Sequence, residues 1–458
     1  MARVNVKVKA TKPAAVYTHE GALAINISPM QQLRRLVLSC MLFEGTFYVD
    51  GKSSVQAIDE AVGAVLKTYN GPREIAELAV ETRSQGKLRH APLYLAVSLI
   101  KAGKSRTKLG EECRAVVADM LARVIQRPDE LAEIVAMYWK PKKQPLTNQM
   151  KKGLAASFNK FNEYSLSKYA NHKGSVSLRD VLFLCHARPK DSEQAELWKK
   201  LAEKKLVAPD TWESNLSAGA DKKETFSRLL QEKKLGALAL IRNLRNMQQS
   251  GVSEDLIRQG LQEMSVERVL PFRFISAANY APRLEPELEQ AMFKCLEGSV
   301  KLPGKTVLMI DNSGSMYGSK ISTKSEIDRS DAACALAMLL REVSERVEVV
   351  VFSDSAITVA PRRGFSLRDV IKKATTVSGT QTERGKKLAD SIGYDRLIIF
   401  TDEQSHTSLS DPLRGSRGYV INVATYQHGI GYGKWVHIDG FSESCIDFIQ
   451  QYEGLKEE

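Results

Sequence analysis

Apolar residues recur at three- and four-residue spacing through most of the first 300 positions. The windows 31–44, 55–69, 72–82, 92–102, 111–126, 128–138 and 146–162 show it, as do 177–186, 192–204, 222–231, 235–249, 253–264 and 285–297. That period predicts helix after helix. The breaks between windows are short and hold Pro, Gly and Asn, so successive helices are expected to pack as antiparallel neighbours. Many helices of roughly 10–16 residues with short links suit a solenoid or a helical ring better than one bundle. Residues 1–28 have little period and read as an extended N-terminal arm.

After Pro303-Gly304 the pattern changes. Short apolar runs at 306–310, 347–352, 396–400 and 419–425 predict strands, with an edge strand at 434–438. Helical periods at 325–344, 367–374, 383–392 and 443–451 alternate with them. Strands alternating with helices indicate a mostly parallel sheet covered on both faces. The predicted fold class is therefore multidomain: an all-α repeat ring over 29–300, then a doubly wound α/β domain over 304–458. A chain of 458 residues is too long for one compact core, which agrees.

Composition adds a charge asymmetry. Residues 1–300 hold 46 Lys and Arg against 33 Asp and Glu, whereas 301–458 hold 20 against 21. The excess is densest over 101–190, with 18 basic and 8 acidic residues. A basic domain joined to a neutral one points to a polyanionic partner for the first. The six cysteines (40, 113, 185, 295, 334, 445) are scattered and form no CxxC, which argues against a zinc site or a disulfide framework. No apolar run approaches the ~20 residues of a membrane span, and the N-terminus has no signal-peptide core. A reducing cytoplasm is the expected setting.

The run Thr306–Ile310 ends in Asp311-Asn312-Ser313-Gly314-Ser315, which presents three hard oxygen ligands at alternate positions. Ser378-Gly379-Thr380-Gln381-Thr382 precedes a predicted helix, and Ile398-Ile399-Phe400-Thr401-Asp402 is a second buried strand ending in an acid. Ligands of doubly wound sheets bind at the carboxyl ends of strands, where all three segments belong. The oxygen set suits a hard divalent cation, Mg²⁺ being the expected ion. An enzyme is not expected. The carboxylates are better used as ligands than as an acid–base pair, no Ser has a readable His and Asp partner, and neither DxDxT nor a GxxxxGK[ST] phosphate loop occurs. A metal-dependent nuclease is the weakest reading.

These segments resemble the metal-ion-dependent adhesion site of von Willebrand factor A-type domains. The resemblance implies Ser313, Ser315 and Thr380 as direct ligands, with Asp311 and Asp402 acting largely through water; Thr382 competes with Thr380. Upstream, the segments 32–48, 166–169, 178–190, 239–247 and 270–277 stand in the order of the TROVE domain. The whole chain thereby resembles the Ro ribonucleoprotein autoantigen family, which joins a helical-repeat ring to an A-type domain. The resemblance implies binding of small noncoding Y-like RNA and of single-stranded RNA ends, a role in RNA quality control or decay, and a monomeric protein within the ribonucleoprotein. An exoribonuclease such as polynucleotide phosphorylase is the implied protein partner. Lys168 and His186 match family positions that contact RNA. A further family arginine falls near His172 or Lys173, because this chain carries one extra residue before Arg179. On the residues alone, Lys168, Arg179 and His186 read equally as solvated surface, Tyr169 as a stacking surface, and Phe272 and Phe274 as core. A protein-interaction scaffold without RNA is the rival expectation.

Overall fold

A computed structural model describes residues 16–17, 23–24, 28–39, 54–84, 88–170, 175–207, 209–266, 269, 271–318, 327–374, 379–424, 430, 434–439 and 444–455. The first described residues form a two-residue antiparallel pair, β1 (Val16–Tyr17) with β2 (Leu23–Ala24). The helices that follow build two rows. One row stacks Pro29–Ser39, Gly71–Ser84, Lys108–Val124, Asn148–Phe158 and Leu178–Cys185; the other stacks Ser54–Val65, His90–Ala102, Pro128–Tyr138, Glu163–Ala170 and Ser192–Ala202. Each helix packs on the helix two places on, as in a solenoid of helix pairs. The predicted windows agree closely with these helices. The short helices Glu163–Ala170, Trp212–Ser217 and Phe272–Tyr280 were not foreseen, since helices of six to nine residues carry little period.

One buried ion pair pins the two rows together. Arg83, on Gly71–Ser84, holds Glu130, on Pro128–Tyr138, at 2.6 Å, and both side chains are buried. The arginine also donates to the carbonyls of Val124 (3.0 Å) and Leu88 (3.2 Å). The second Glu130 oxygen accepts the backbone N–H groups of Gln126 and Arg127. Every polar atom of the pair that this geometry engages is partnered, which is the condition for a buried ion pair to be tolerated.

After Ser192–Ala202 the two-row pattern resumes. Lys222–Gln231, Glu254–Glu263 and Glu285–Leu296 form one row, and Ala237–Gln249 and Phe272–Tyr280 the other. The next member of that second row is Arg329–Val343, which is already part of the α/β unit. Its sequence is apolar all round, and twelve of its fifteen residues are buried. A helix with that pattern must be covered on all sides. It is covered by the sheet on one side and by Phe272–Tyr280 and Glu285–Leu296 on the other. Buried apolar residues between Phe226 and Ile449 accordingly form a core that runs from the second group of helices onto one face of the sheet, separate from the core of the first ten helices; the other face of the sheet has a smaller core of its own, with Val307, Met309, Phe352 and Leu397. The expected boundary near residue 300 thus separates helix from strand, not one core from another.

The sheet has the order β5-β4-β3-β6-β7-β8: β3 is Leu302–Asp311, β4 Ser344–Phe352, β5 Ala356–Val359, β6 Arg396–Thr401, β7 Arg417–Asn422 and β8 Val436–Asp439. All neighbours are parallel except β4 and β5. The short β5 was missed; the edge strand β8 was expected. Helix Pro29–Ser39 lies against β8, so the helical series meets the α/β unit at both ends. The five described cysteines are free, and no helix among the described residues is long and apolar enough to cross a membrane.

Removing one partner of a buried pair leaves the other charge stranded, so Glu130→Ala should destabilise the protein by about 3–5 kcal/mol. Urea unfolding followed by helical circular dichroism checks this; a change within experimental error would mean the pair is not buried in solution.

Candidate metal centre and nucleic-acid interface

The chain crosses from β3 to β4 on one side and later returns to β6 on the other, so the sheet reverses direction between β3 and β6. Asp311 is the last residue of β3, and Asp402 immediately follows β6. Both are fully buried. The Asp311 carboxylate accepts from the Ser313 N–H at 2.9 Å and from the Thr401 hydroxyl at 2.7 Å. Ser313 Oγ and Ser315 Oγ lie 3.3 Å apart, and the Ser315 hydroxyl hydrogen-bonds to Asp402. Asp402 also accepts from the Gln404 N–H at 3.1 Å and faces Arg329 at 3.4 Å.

Thr380 enters from a third loop held on both sides. Gly379 donates to Asp354 at 3.2 Å, and a Cβ there would meet that carboxylate and turn it aside. Gln381 donates to the Ser353 carbonyl at 2.8 Å. The Thr380 carbonyl accepts from the His406 N–H at 3.0 Å and from Ser405 Oγ at 3.2 Å, both just beyond Asp402. The Thr380 N–H donates to His406 Nδ1 at 3.2 Å. The loop after β6 thus carries the Thr380 loop. Thr382 opens helix Thr382–Ile392, and its buried hydroxyl has no hydrogen-bond partner among the described residues.

The structure therefore brings Asp311, Ser313, Ser315 and Asp402 together and docks the Thr380 loop beside them. Sequence reading missed three supports. Arg329 is the charged neighbour of Asp402, His406 buttresses Thr380, and Glu403 is a third buried carboxylate, 3.0 Å from His437 Nδ1 on β8. Glu403 sits at φ 62°, a conformation that a non-glycine residue holds only where its surroundings impose it. The Thr-Asp-Glu order at the end of a strand was its only signal.

Burial, reinforced by the Asp402 carboxylate, pushes Asp311 up to about 7. Asp402 is raised too, by burial, with Arg329 acting against the shift. Two sequestered carboxylates short of positive charge, serine hydroxyls beside them and an unpartnered threonine hydroxyl form a donor set that fits a hard divalent cation. Among the described residues no three His, Cys, Asp or Glu converge, so hydroxyls would have to supply the remaining ligands.

On the helical side, Lys168 is half-buried, 3.2 Å from Glu213 and against the Tyr169 ring. Arg179 and His186 are exposed, the latter capping helix Leu178–Cys185 in the left-handed region. Between them Phe183 is 57% exposed, with the Arg179 guanidinium 5.8 Å from its ring centre. Arg179 and Phe183, four residues apart, share one helix face, and His186 follows at the C-terminal end of the same helix. His172 and Lys173 lie outside the described residues, as does the side chain of Phe272. Phe274 is buried, as expected. Among the described residues of the helical part the exposed aromatics are instead Tyr69, Tyr164, Phe183 and Tyr280, which composition alone does not distinguish from core.

A two-row helical solenoid is thus fused to a doubly wound domain with a hydroxyl-and-carboxylate loop at its switch point. Residues 200–347 match the TROVE domain, and residues 305–421 match the Ro60 vWA domain. The crystal structure of the Deinococcus radiodurans Ro (RSR) protein has the same fold, with a TM-score of 0.58 at 16% identity over 93% of this chain and 99% of that one. In both its helical and its α/β part the chain is thus similar to the Ro family. It is also 39% identical over 90 residues to telomerase protein component 1 of Rattus norvegicus and of Mus musculus, a stretch that is 18% of this chain and 3% of each of those proteins.

The sign of the Asp311 shift fixes a pH dependence. A carboxyl raised in the folded state contributes stability below its unfolded value near 4 that is lost as pH rises through about 7. Without divalent cation, stability should therefore fall between pH 5 and pH 7.5, and Asp311→Asn should flatten that slope. Mg²⁺ should raise the melting temperature most at the upper end, and Asp311→Ala with Ser313→Ala should abolish that gain. Differential scanning fluorimetry across pH, with and without Mg²⁺, checks both; unchanged Mg²⁺ stabilisation in the double variant would place the ion elsewhere.

Proposed function

We propose that this protein is a non-enzymatic, cytoplasmic RNA-binding component of a ribonucleoprotein. It binds a small noncoding, Y-like RNA and the single-stranded ends of structured or misfolded RNA, and it acts in RNA quality control or decay. The observation that carries this reading is the exposed group Arg179, Phe183 and His186, set in the most basic part of a helical solenoid. Guanidinium groups neutralise phosphates and release counterions, while an exposed ring gives a base a surface to stack on. Lys168, His172 and Lys173 extend this interface in the proposal, Lys168 exchanging its contact with Glu213 for a phosphate.

The α/β domain supplies a docking point. Ser313, Ser315 and Thr380, or Thr382 in place of Thr380, would hold a Mg²⁺ ion, supported by Asp311 and Asp402. The ion would offer an open position to an acidic side chain of a protein partner, for which an exoribonuclease such as polynucleotide phosphorylase is proposed. The order of TROVE and vWA domains along the chain supports this division of labour.

Binding of structured RNA should weaken steeply with salt, log K falling by roughly 0.9 per duplex phosphate contact and about 0.7 per single-strand contact for each unit of log[salt]. Lys168→Ala with Arg179→Glu should weaken binding while leaving the helical circular dichroism unchanged. Salt-independent binding, or equal affinity in that variant, would move the interface elsewhere. A preparation free of nucleic acid that also fails to shift structured RNA would favour a protein-interaction scaffold.

A further inference from the structure

We infer that the concavity between helices Ala237–Gln249 and Phe272–Tyr280 binds the phosphorylated end of an RNA chain, an inference that rests on the RNA reading above. The space measures about 510 Å³ and is lined by Arg242, Arg245 and Arg273, with Leu238, Ala277 and Tyr280 beside them. That is the scale of a single-nucleotide site and far too small for a duplex.

What sets the site apart is that three arginines without a carboxylate partner line one space. Arg242, Arg245 and Arg273 are exposed, and none is ion-paired or hydrogen-bonded among the described residues. Elsewhere in the helical half, Arg83, Arg89, Arg127, Arg228 and Arg258 each face a carboxylate. Three uncompensated guanidiniums around one small space leave a local charge that an external anion must balance. An internal phosphodiester carries one negative charge. A terminal phosphomonoester carries about 1.5–2 at neutral pH and three acceptor oxygens, the better match for three planar forks.

The geometry brings donors from both walls. Arg242 and Arg245 are three residues apart and so share one helix face, with Cβ atoms roughly 5–6 Å apart. Arg273 stands on the facing helix. Leu238 is 43% exposed and Tyr280 39%, so the rim offers apolar and aromatic surface to the terminal base. Arg242 and Leu238 also line the adjoining concavity of about 650 Å³, where Tyr164 and Trp212 stand. There Arg127, Lys168 and Lys234 already face Asp129, Glu213 and Asp210. That second space is suited to pass the next nucleotide along rather than to anchor an anion.

The test uses the full chain and one single-stranded RNA sequence made with a 5′-phosphate, with a 3′-phosphate, or with hydroxyls at both ends, binding being measured by competition against a labelled hydroxyl-ended strand. One phosphorylated form should bind roughly tenfold more tightly than the hydroxyl form, the scale of one charge-assisted hydrogen bond. Which form gains identifies the end that is held. Arg245→Gln with Arg273→Gln should bring that ratio to about one, and both positions are exposed, so the fold is expected to survive. Equal affinity for all three strands in the unaltered protein would overturn the inference while leaving the RNA reading intact. A preference that persists in the double variant would overturn the assignment to this concavity. Failure to bind any of the strands would remove the RNA reading itself, and the inference with it.

Discussion

The architecture depends on one helix being buried on nearly every side. Arg329–Val343 packs its Ala, Leu and Met residues against the sheet and, on its other side, against the last helices of the solenoid. A helix that is apolar all round has no stable exposed orientation, so neither the sheet nor the second group of helices can do without the other. The fusion is reinforced at its edge. Glu289 accepts from the Phe365 N–H at 2.7 Å, and Arg368 faces Glu285 at 3.1 Å. The same helix begins with Arg329 against Asp402. The element that joins the halves thus also carries the cation nearest to the candidate metal carboxylates.

Much of this was legible because it rests on period. Pro128–Tyr138 and Lys222–Gln231 begin and end where their apolar spacing places them. The α/β alternation after Gly304 was equally plain, and it put Asp311 and Asp402 at the carboxyl ends of strands in one sheet; the structure makes those strands neighbours. Two kinds of feature were hidden. Strand β5 and the helix Trp212–Ser217 are too short to show a period. The fusion of the two halves depends on what covers Arg329–Val343, and a sequence shows that a helix is apolar all round without showing which partner buries it.

The functional side chains divide in the same way. Asp311, Ser313 and Ser315 announced themselves because local spacing sets a turn's chemistry. Arg329, Glu403 and His406 did not, because each acts on a residue distant in sequence or through an unusual backbone angle. Among the basic residues the sequence could count charges but not pair them. Arg83 is spent on a buried partner and Lys168 on Glu213, whereas Arg179, Arg242, Arg245 and Arg273 remain available to an external anion. Net charge therefore located the half proposed to bind a polyanion, and only the three-dimensional pairing singled out residues within it.

The central claim is that the helical half holds RNA and the α/β half does not. Ultraviolet crosslinking of the protein to the RNA it carries from its native host, followed by mass spectrometry of the crosslinked peptides, tests it most directly. The account predicts crosslinks within residues 29–296, centred on the segments around Phe183 and Tyr280, and none within residues 302–455. Crosslinks confined to the α/β half, or no crosslinked RNA at all, would contradict it.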